Sequence, residues 1–215
     1  MKLLFVLGLL FFCPFVNAQE VTNETVNPVD TTDAPSTAPR IWLQAGPGFS
    51  TLEVEASRNE TQARTGLMAA VELEFPMNPD FSVQAGLDYA QKGIRSSITD
   101  TVVALDYLQI PVVGKAKFNA WTNSELVLMA GPYAAFAVGR KMSSGNRSID
   151  ETGSVRDFDI GARVGAALET KLSSNLLFSA GLSYETGFLN LSKNSLDGTA
   201  RNQSLIALLG LGVVL

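Results

Sequence analysis

Apolar and polar residues alternate with a period of two along most of this chain. In residues 155–171 (VRDFDIGARVGAALETK) one set of alternate positions is apolar and the other is rich in glycine and charge. Successive side chains of a β-strand point to opposite faces, so this pattern predicts a strand with one apolar and one polar face. No stretch after residue 40 has a convincing helical period. We identify eight such runs, at about 41–51, 64–75, 81–92, 103–118, 125–140, 155–171, 176–189 and 203–215.

The connections between the runs are alternately short and long. The short ones are residues 76–80, 119–124 and 172–175, and the longer polar ones are 52–63, 93–102, 141–154 and 190–202. An up-and-down meander with tight turns at one end and long loops at the other is typical of outer-membrane barrels, whose strands need about 9–11 tilted residues. The sequence therefore predicts an all-β fold, an eight-stranded antiparallel up-and-down transmembrane β-barrel over residues 40–215.

The two faces of the runs predict which side of the barrel meets lipid. The apolar faces carry almost no charge, whereas the other faces mix glycines with charges of both signs. We therefore expect the apolar faces to contact lipid and the charged faces to line the lumen. Charges in such an interior must pair, so we expect a structural network rather than a proton or ion path. Its predicted members are Glu72, Glu74, Asp88, Lys115, Lys117, Asp157, Asp159, Arg163, Glu169 and Glu185.

Aromatic residues on the apolar faces cluster near the ends of the runs. Transmembrane barrels have aromatic girdles at both membrane interfaces, and we expect these residues to form them. The predicted girdle residues are Phe75, Phe81, Phe118 and Phe178 at the short-turn side, and Tyr89, Phe158 and Tyr184 towards the long loops. The alternative is a soluble lipocalin-like ligand-binding barrel in the periplasm, in which the same aromatic residues would belong to the core.

The N-terminal segment predicts export. Residues 1–18 combine Lys2, an apolar stretch too short to span a bilayer, and a Val-Asn-Ala sequence before Gln19, which together indicate a signal peptide. A membrane anchor or a lipid on Cys13 are the alternatives, and the large Phe12 before Cys13 disfavours the lipid. Residues 19–39 are rich in Thr, Pro and acids, and they predict a disordered periplasmic tail. We expect the protein in the outer membrane of a Gram-negative bacterium.

Composition restricts the possible chemistry. The chain has no histidine, which removes the commonest general base and metal ligand. The formal net charge of −5 disfavours nucleic acid as a partner. We expect no enzymatic activity and no cofactor, although a site made only of carboxylates such as Asp157 and Asp159 is an alternative.

The segment YLQIPVVGKAKF (107–118) places Pro111 inside a predicted strand, where we expect a bulge or a missing ladder bond. This segment closely resembles the Y-L-x-I-P-x-x-x-K segment of PorT-like outer-membrane β-barrel proteins. LVLMAGPYAAF (126–136) and DFDIGARVGAALE (157–169) are similar to the fifth and sixth strands of that family. The resemblance implies an eight-stranded outer-membrane barrel without catalytic residues, and one family member is linked to protein secretion across the outer membrane.

An eight-stranded barrel is just wide enough for side chains to fill it, so we expect no open pore. The expected function is that of a non-enzymatic structural or partner-binding barrel. Its expected partners are outer-membrane lipid and envelope or secretion-system proteins, which would contact the loops 141–154 and 190–202.

Overall fold

The computed structural model describes residues 38–54, 61–96, 101–144, 147–149, 156–191 and 200–215. The predicted signal peptide (1–18) lies outside the described residues, as does the predicted tail (19–39) except for its last two residues. The described residues contain no helix, and so no helix that could cross a membrane. Their strands are β1 (Arg40–Val54), β2 (Thr61–Pro76), β3 (Phe81–Ser96), β4 (Thr101–Trp121), β5 (Ser124–Ser144), β6 (Arg147–Ile149), β7 (Phe158–Lys171), β8 (Leu176–Gly187) and β9 (Ala200–Val214).

Eight of these strands close into a cylinder. Antiparallel pairing joins them in the order β4-β3-β2-β1-β9-β8-β7-β5, and β4 also pairs with β5 to complete the ring. The short strand β6 folds back on the loop-side end of β5 and is not part of the ring. The prediction of an eight-stranded antiparallel up-and-down β-barrel is confirmed.

The alternation in sequence becomes an inside and an outside. Along β4 the side chains of Gln109 and Lys115 are buried, whereas those of Ile110 and Val112 are exposed on the outer surface. Exposed large apolar residues occur on every strand of the ring: Leu43, Val71, Leu87, Ile110, Leu126, Val164, Leu182 and Leu209. A soluble barrel would bury such residues. An apolar exterior around a polar interior is instead the arrangement of transmembrane barrels.

All four of the longer predicted loops are shorter than the sequence indicated, because β1 continues to Val54, β2 begins at Thr61, β3 continues to Ser96 and β4 begins at Thr101. Residues 141–144 continue β5, because Lys141 pairs with Ala104 of β4. Residues 200–202 belong to β9, because Ala200 pairs with Val54 of β1. Their polar composition suggested loops, but strands that continue into water above the apolar belt also carry polar residues. Of the predicted loops 141–154 and 190–202, residues 145–146, 150–154 and 192–199 lie outside the described residues.

Pro111 lies in the middle of β4 and faces the lumen. On the β3 side the ladder pairs Ala85 with Val112 and Asp88 with Gln109 in one register, with a gap between these pairs where Pro111 has no N–H to donate. A missing ladder bond, rather than a bulge, accommodates the proline on this side. The two register shifts between β4 and β5 lie away from Pro111, one between Asp106 and Tyr107 and the other between Asn119 and Trp121.

Candidate functional site

Polar side chains meet in the lumen because the polar positions of each strand pair with polar positions of the neighbouring strands, and paired residues project to the same face. Glu72 and Glu74 of β2 lie two residues apart on the inward face, as do Lys115 and Lys117 of β4. Residues two apart on a strand share a face, so each strand contributes a short column of charge. The columns meet in two groups, one near the short turns and one at the centre of the barrel.

The short-turn cluster is built around Glu74. Its carboxylate accepts hydrogen bonds from Lys115 Nζ at 2.8 Å and from the indole Nε1 of Trp42 at 2.7 Å. Lys117 also forms an ion pair with Glu74, and Arg40 lies 3.4 Å from it. Glu74 is fully buried, and the cations around it offset the cost of removing its charge from water.

Lys115 connects three strands within this cluster. Besides Glu74 of β2, its ammonium group donates to Glu169 Oε1 of β7 at 2.5 Å and to Gln84 Oε1 of β3 at 3.0 Å. The ammonium nitrogen also lies 5.0 Å from the ring centre of Trp42, within the range of a cation–π contact. All three N–H donors of the ammonium group therefore have an acceptor in the lumen.

The central cluster is built around Arg163 of β7. Its guanidinium Nε donates to Glu185 Oε1 at 2.7 Å, and its Nη1 lies 3.3 Å from Glu72 Oε1. It also forms an ion pair with Asp88 of β3. One guanidinium thus joins carboxylates from β2, β3 and β8, with all four side chains almost completely buried.

Lys92 connects the central cluster with the loop-side end of the lumen. Its Nζ lies 2.6 Å from Glu185 Oε2 and 4.8 Å from the ring centre of Tyr133. Above it, Asn202 donates to Asp159 Oδ2 at 3.1 Å. Leu105 packs with Tyr133 in an apolar group at the same end. Ion pairs therefore give way to aromatic and apolar packing towards the long loops.

Nine of the ten charged residues assigned to the lumen from sequence are buried there: Glu72, Glu74, Asp88, Lys115, Lys117, Asp159, Arg163, Glu169 and Glu185. The prediction that Asp157 faces the lumen is wrong. It precedes the first residue of β7, its side chain is 69% exposed, and its carboxylate pairs with Arg140. Asp157 and Asp159 therefore do not form a common carboxylate site, because only Asp159 lies within the barrel wall.

Several members of the network are absent from the set predicted from sequence. Trp42 and Lys92 are buried in it, and Gln84 and Gln109 donate to the carboxylates Glu72 and Glu185. Parity along each strand could have identified the two amides and Lys92, since they lie at inward positions of their runs. An aromatic residue such as Trp42 gives no such signal, because it is equally typical of the lipid face.

The predicted girdle residues lie on the outer surface. Exposed near the short-turn ends of their strands are Phe75, Phe81, Phe118 and Phe178, and exposed at the loop-side ends of β7 and β8 are Phe158 and Tyr184. Tyr89 is only partly exposed and lies midway along β3, because that strand continues to Ser96. Phe136, absent from the prediction, packs against Phe158 with ring centres 5.0 Å apart. Their role at the membrane interface stays a prediction.

Side chains fill the described parts of the lumen around Lys115 and Lys92. The space between Lys115 and Glu169 is about 20 Å³ and the space beside Lys92 is about 10 Å³, each no larger than one or two water molecules need. A groove of about 760 Å³ lies on the apolar outer surface around Ala45 and Ala69, away from the charges. Among the described residues, no group of three or more His, Cys, Asp or Glu side chains could hold a metal ion.

Comparison with known proteins agrees with this architecture. Residues 37–193 match a family described as outer membrane protein beta-barrel domain. The solved structure of Neisserial surface protein A is similar, with 15% identity, a TM-score of 0.50 and coverage of 81% of this chain and 97% of that one. OprG from Pseudomonas aeruginosa has 11% identity, a TM-score of 0.49 and coverage of 82% and 96%. Ail of Yersinia pestis has 16% identity, a TM-score of 0.44 and coverage of 82% and 98%. At 15% identity the likeness to Neisserial surface protein A concerns the fold alone. No curated protein matches the chain.

Proposed function

This chain belongs to the outer membrane protein beta-barrel domain family, and we propose that it is a non-enzymatic, side-chain-filled barrel that acts as a structural or partner-binding protein. The observation that carries the proposal is the ion-paired lumen. Arg163 and Lys115 each bind carboxylates from strands that are not neighbours, so the network braces the wall from inside. A braced and filled barrel offers its surfaces, rather than a channel, for function.

The loop-side end supports the partner-binding part of the proposal. β4 and β5 have 21 residues each, about twice the length that a membrane crossing needs. β7 begins only at Phe158, which pairs with Phe136, so the last eight residues of β5 rise above the β7 wall. The raised end of β5, with β6 paired along its edge, is a suitable contact surface for a protein outside the membrane.

The partner class follows from the resemblance of residues 107–118 to PorT-like barrels. We propose an envelope protein, and specifically a component of a machinery that secretes proteins across the outer membrane. The contact would involve the loops 141–154 and 190–202, together with the raised end of β5.

Site-specific crosslinking in intact cells tests this proposal. In the test variant a photoreactive amino acid replaces Val138, which is 60% exposed on the raised part of β5. In the control variant it replaces Leu87, which is 47% exposed on the apolar belt. We expect a discrete envelope-protein adduct from position 138 and lipid alone from position 87. Adducts of the same protein at both positions, or at neither, would contradict a loop-side partner.

Reconstitution of the purified barrel in a planar bilayer tests the filled lumen. We expect no stepwise conductance in the native protein, because the spaces beside Lys115 and Lys92, about 20 Å³ and 10 Å³, are too small for a hydrated ion to pass. Regular conductance steps in the native barrel would show that the lumen is an open path. A folded, soluble protein in buffer without detergent would support the lipocalin-like alternative instead.

A further inference from the structure

Three oxygen-bearing side chains form one row at the short-turn mouth of the lumen. The β4–β5 ladder pairs Asn119 with Glu125, and the β5–β7 ladder pairs Glu125 with Glu169. Residues paired in this way have Cβ atoms about 4.5–5.5 Å apart and project to the same face. The row therefore brings two carboxyl groups and one carboxamide together from three strands.

Among the ion pairs of the described residues, only one of the two carboxylates in this row has a cation, since Lys115 binds Glu169. Like charges directly opposite each other destabilise a sheet. Glu125 takes part in none of the ion pairs among the described residues. Glu169 is 3% exposed, and its Oε1 accepts from Lys115, but its Oε2 is buried without a hydrogen-bond partner. A buried oxygen of this kind is costly unless something binds it.

A cavity of about 90 Å³ lies beside the row. Asn119, Glu125 and Glu169 line it, together with Asn123 and Trp121. One water molecule needs about 10–15 Å³ of such space, so the cavity has room for an ion that keeps several of its waters. Carboxylate and carboxamide oxygens are the ligands that hard divalent cations prefer.

We propose that this mouth binds a divalent cation of the Ca²⁺ class, with Asn119, Glu125 and Glu169 as its side-chain ligands. The double positive charge neutralises the opposed carboxylates, and the ion binds the free oxygen of Glu169. Ca²⁺ fits better than Mg²⁺, because it accepts six to eight oxygens in irregular geometry whereas Mg²⁺ demands a near-ideal octahedron. The ion fastens β4, β5 and β7 together, independently of what the loop-side end binds.

Lys171 is the competing counter-ion. Its side chain also lines the cavity and is exposed, and it takes part in none of the ion pairs among the described residues. An ammonium group turned towards Glu125 would neutralise the same charge without a metal. The experiment therefore has to distinguish Ca²⁺ binding at Glu125 from an ion pair between Glu125 and Lys171.

Thermal unfolding of the purified, EDTA-treated barrel in detergent micelles makes this separation. At a Ca²⁺ concentration well above its dissociation constant we expect the unfolding temperature to rise by about 5 °C or more, beyond the effect of NaCl at equal ionic strength. Glu125→Gln removes the shift, and it is at least as stable as the native protein without metal because the repulsion is gone. Lys171→Gln keeps or enlarges the shift. Asp157→Asn, a carboxylate at the opposite end, responds like the native protein.

The opposite pattern overturns the proposal. If Ca²⁺ shifts the native protein and Glu125→Gln equally, the ion binds elsewhere. If Ca²⁺ has no effect, and Lys171→Gln and Glu125→Gln each lower the metal-free unfolding temperature, Lys171 is the counter-ion.

Terbium luminescence locates the ion directly. Tb³⁺ replaces Ca²⁺ and emits when a nearby indole transfers energy to it, and the chain has only two tryptophans. Trp121 lines the cavity and Trp42 lies in the adjoining cluster of Lys115, so we expect sensitised emission that Ca²⁺ displaces and that Trp121→Phe weakens. Emission that both Trp121→Phe and Glu125→Gln leave unchanged would place the ion outside this cavity.

Discussion

The ammonium group of Lys92 lies 2.6 Å from the carboxylate of Glu185, across the full width of the barrel. Lys92 is on β3 and Glu185 is on β8, and the ring order separates these strands by four steps in either direction. The pair therefore joins opposite walls, which no backbone hydrogen bond can do.

We expect Lys92→Met to lower the free energy of unfolding by about 3 kcal/mol, because the buried Glu185 carboxylate loses one of the two cations that it contacts and keeps only Arg163. Methionine keeps most of the apolar stem, so lost packing contributes little. Urea unfolding in micelles or lipid vesicles measures the change. The matched control is Lys141→Met on the exposed surface of β5, expected within about 0.5 kcal/mol of the native protein. Equal stability of the two variants would show that the pair across the lumen contributes nothing.

The hydrogen bond from Trp42 to Glu74 gives a second prediction. Trp42→Phe removes a donor 2.7 Å from a buried carboxylate, and a hydrogen bond to a charged group contributes about 1.5–3 kcal/mol. Trp121→Phe serves as the control, because Trp121 is 69% exposed and its loss is expected to change stability by less than about 0.5 kcal/mol. Equilibrium unfolding followed by circular dichroism compares them. A larger loss in Trp121→Phe would refute this account.

Glycines at two neighbouring inward positions of β1 are expected to differ. A Cβ atom on Gly46 would lie 1.9 Å from the carbonyl oxygen of Ala207, whereas a Cβ atom on Gly48 would meet only Ile206, at 3.7 Å. Gly46→Ala must displace backbone of β9 and is expected to cost at least about 2 kcal/mol. Gly48→Ala is expected to be neutral. The folded fraction is measured by the mobility of unheated samples in gels, and a defect in Gly48→Ala alone would contradict the strand packing described here.

The apolar exterior predicts a dependence on depth in the bilayer. Val71 faces outward five residues from the short-turn end of β2, which is about 13 Å along the membrane normal for a tilted strand and near the centre of the apolar band. Val71→Arg is expected to reduce folding stability in lipid vesicles by about 2–4 kcal/mol.

Thr65→Arg is the control for that prediction, because Thr65 is exposed on the loop side of the same strand. We expect it to cost less than about 1 kcal/mol. Water around the whole exterior would make both substitutions nearly neutral, so equal small effects would argue against a membrane-facing surface.

Period-two alternation was sufficient to predict the strands, their number in the ring and the face of most charged residues. Glu72, Glu74, Lys115 and Arg163 lie inside because their strand neighbours are apolar and the pleat places them opposite. Alternation carries no information about where a strand ends. Asp157 and Asp159 have the same parity, yet only Asp159 lies within the wall.

The partners within the lumen were decided by the tertiary structure alone. Lys92 and Glu185 are 93 residues apart, and their meeting depends on how far each strand is staggered against the next when β4 pairs with β5 and closes the ring. A shift by two residues at one ladder would keep every face unchanged but would change partners across the lumen. The sequence by itself therefore determined which side chains enter the barrel, because that follows from local geometry. Which of them bind one another follows from closure, which sums the registers of all eight ladders and is a property of the whole chain.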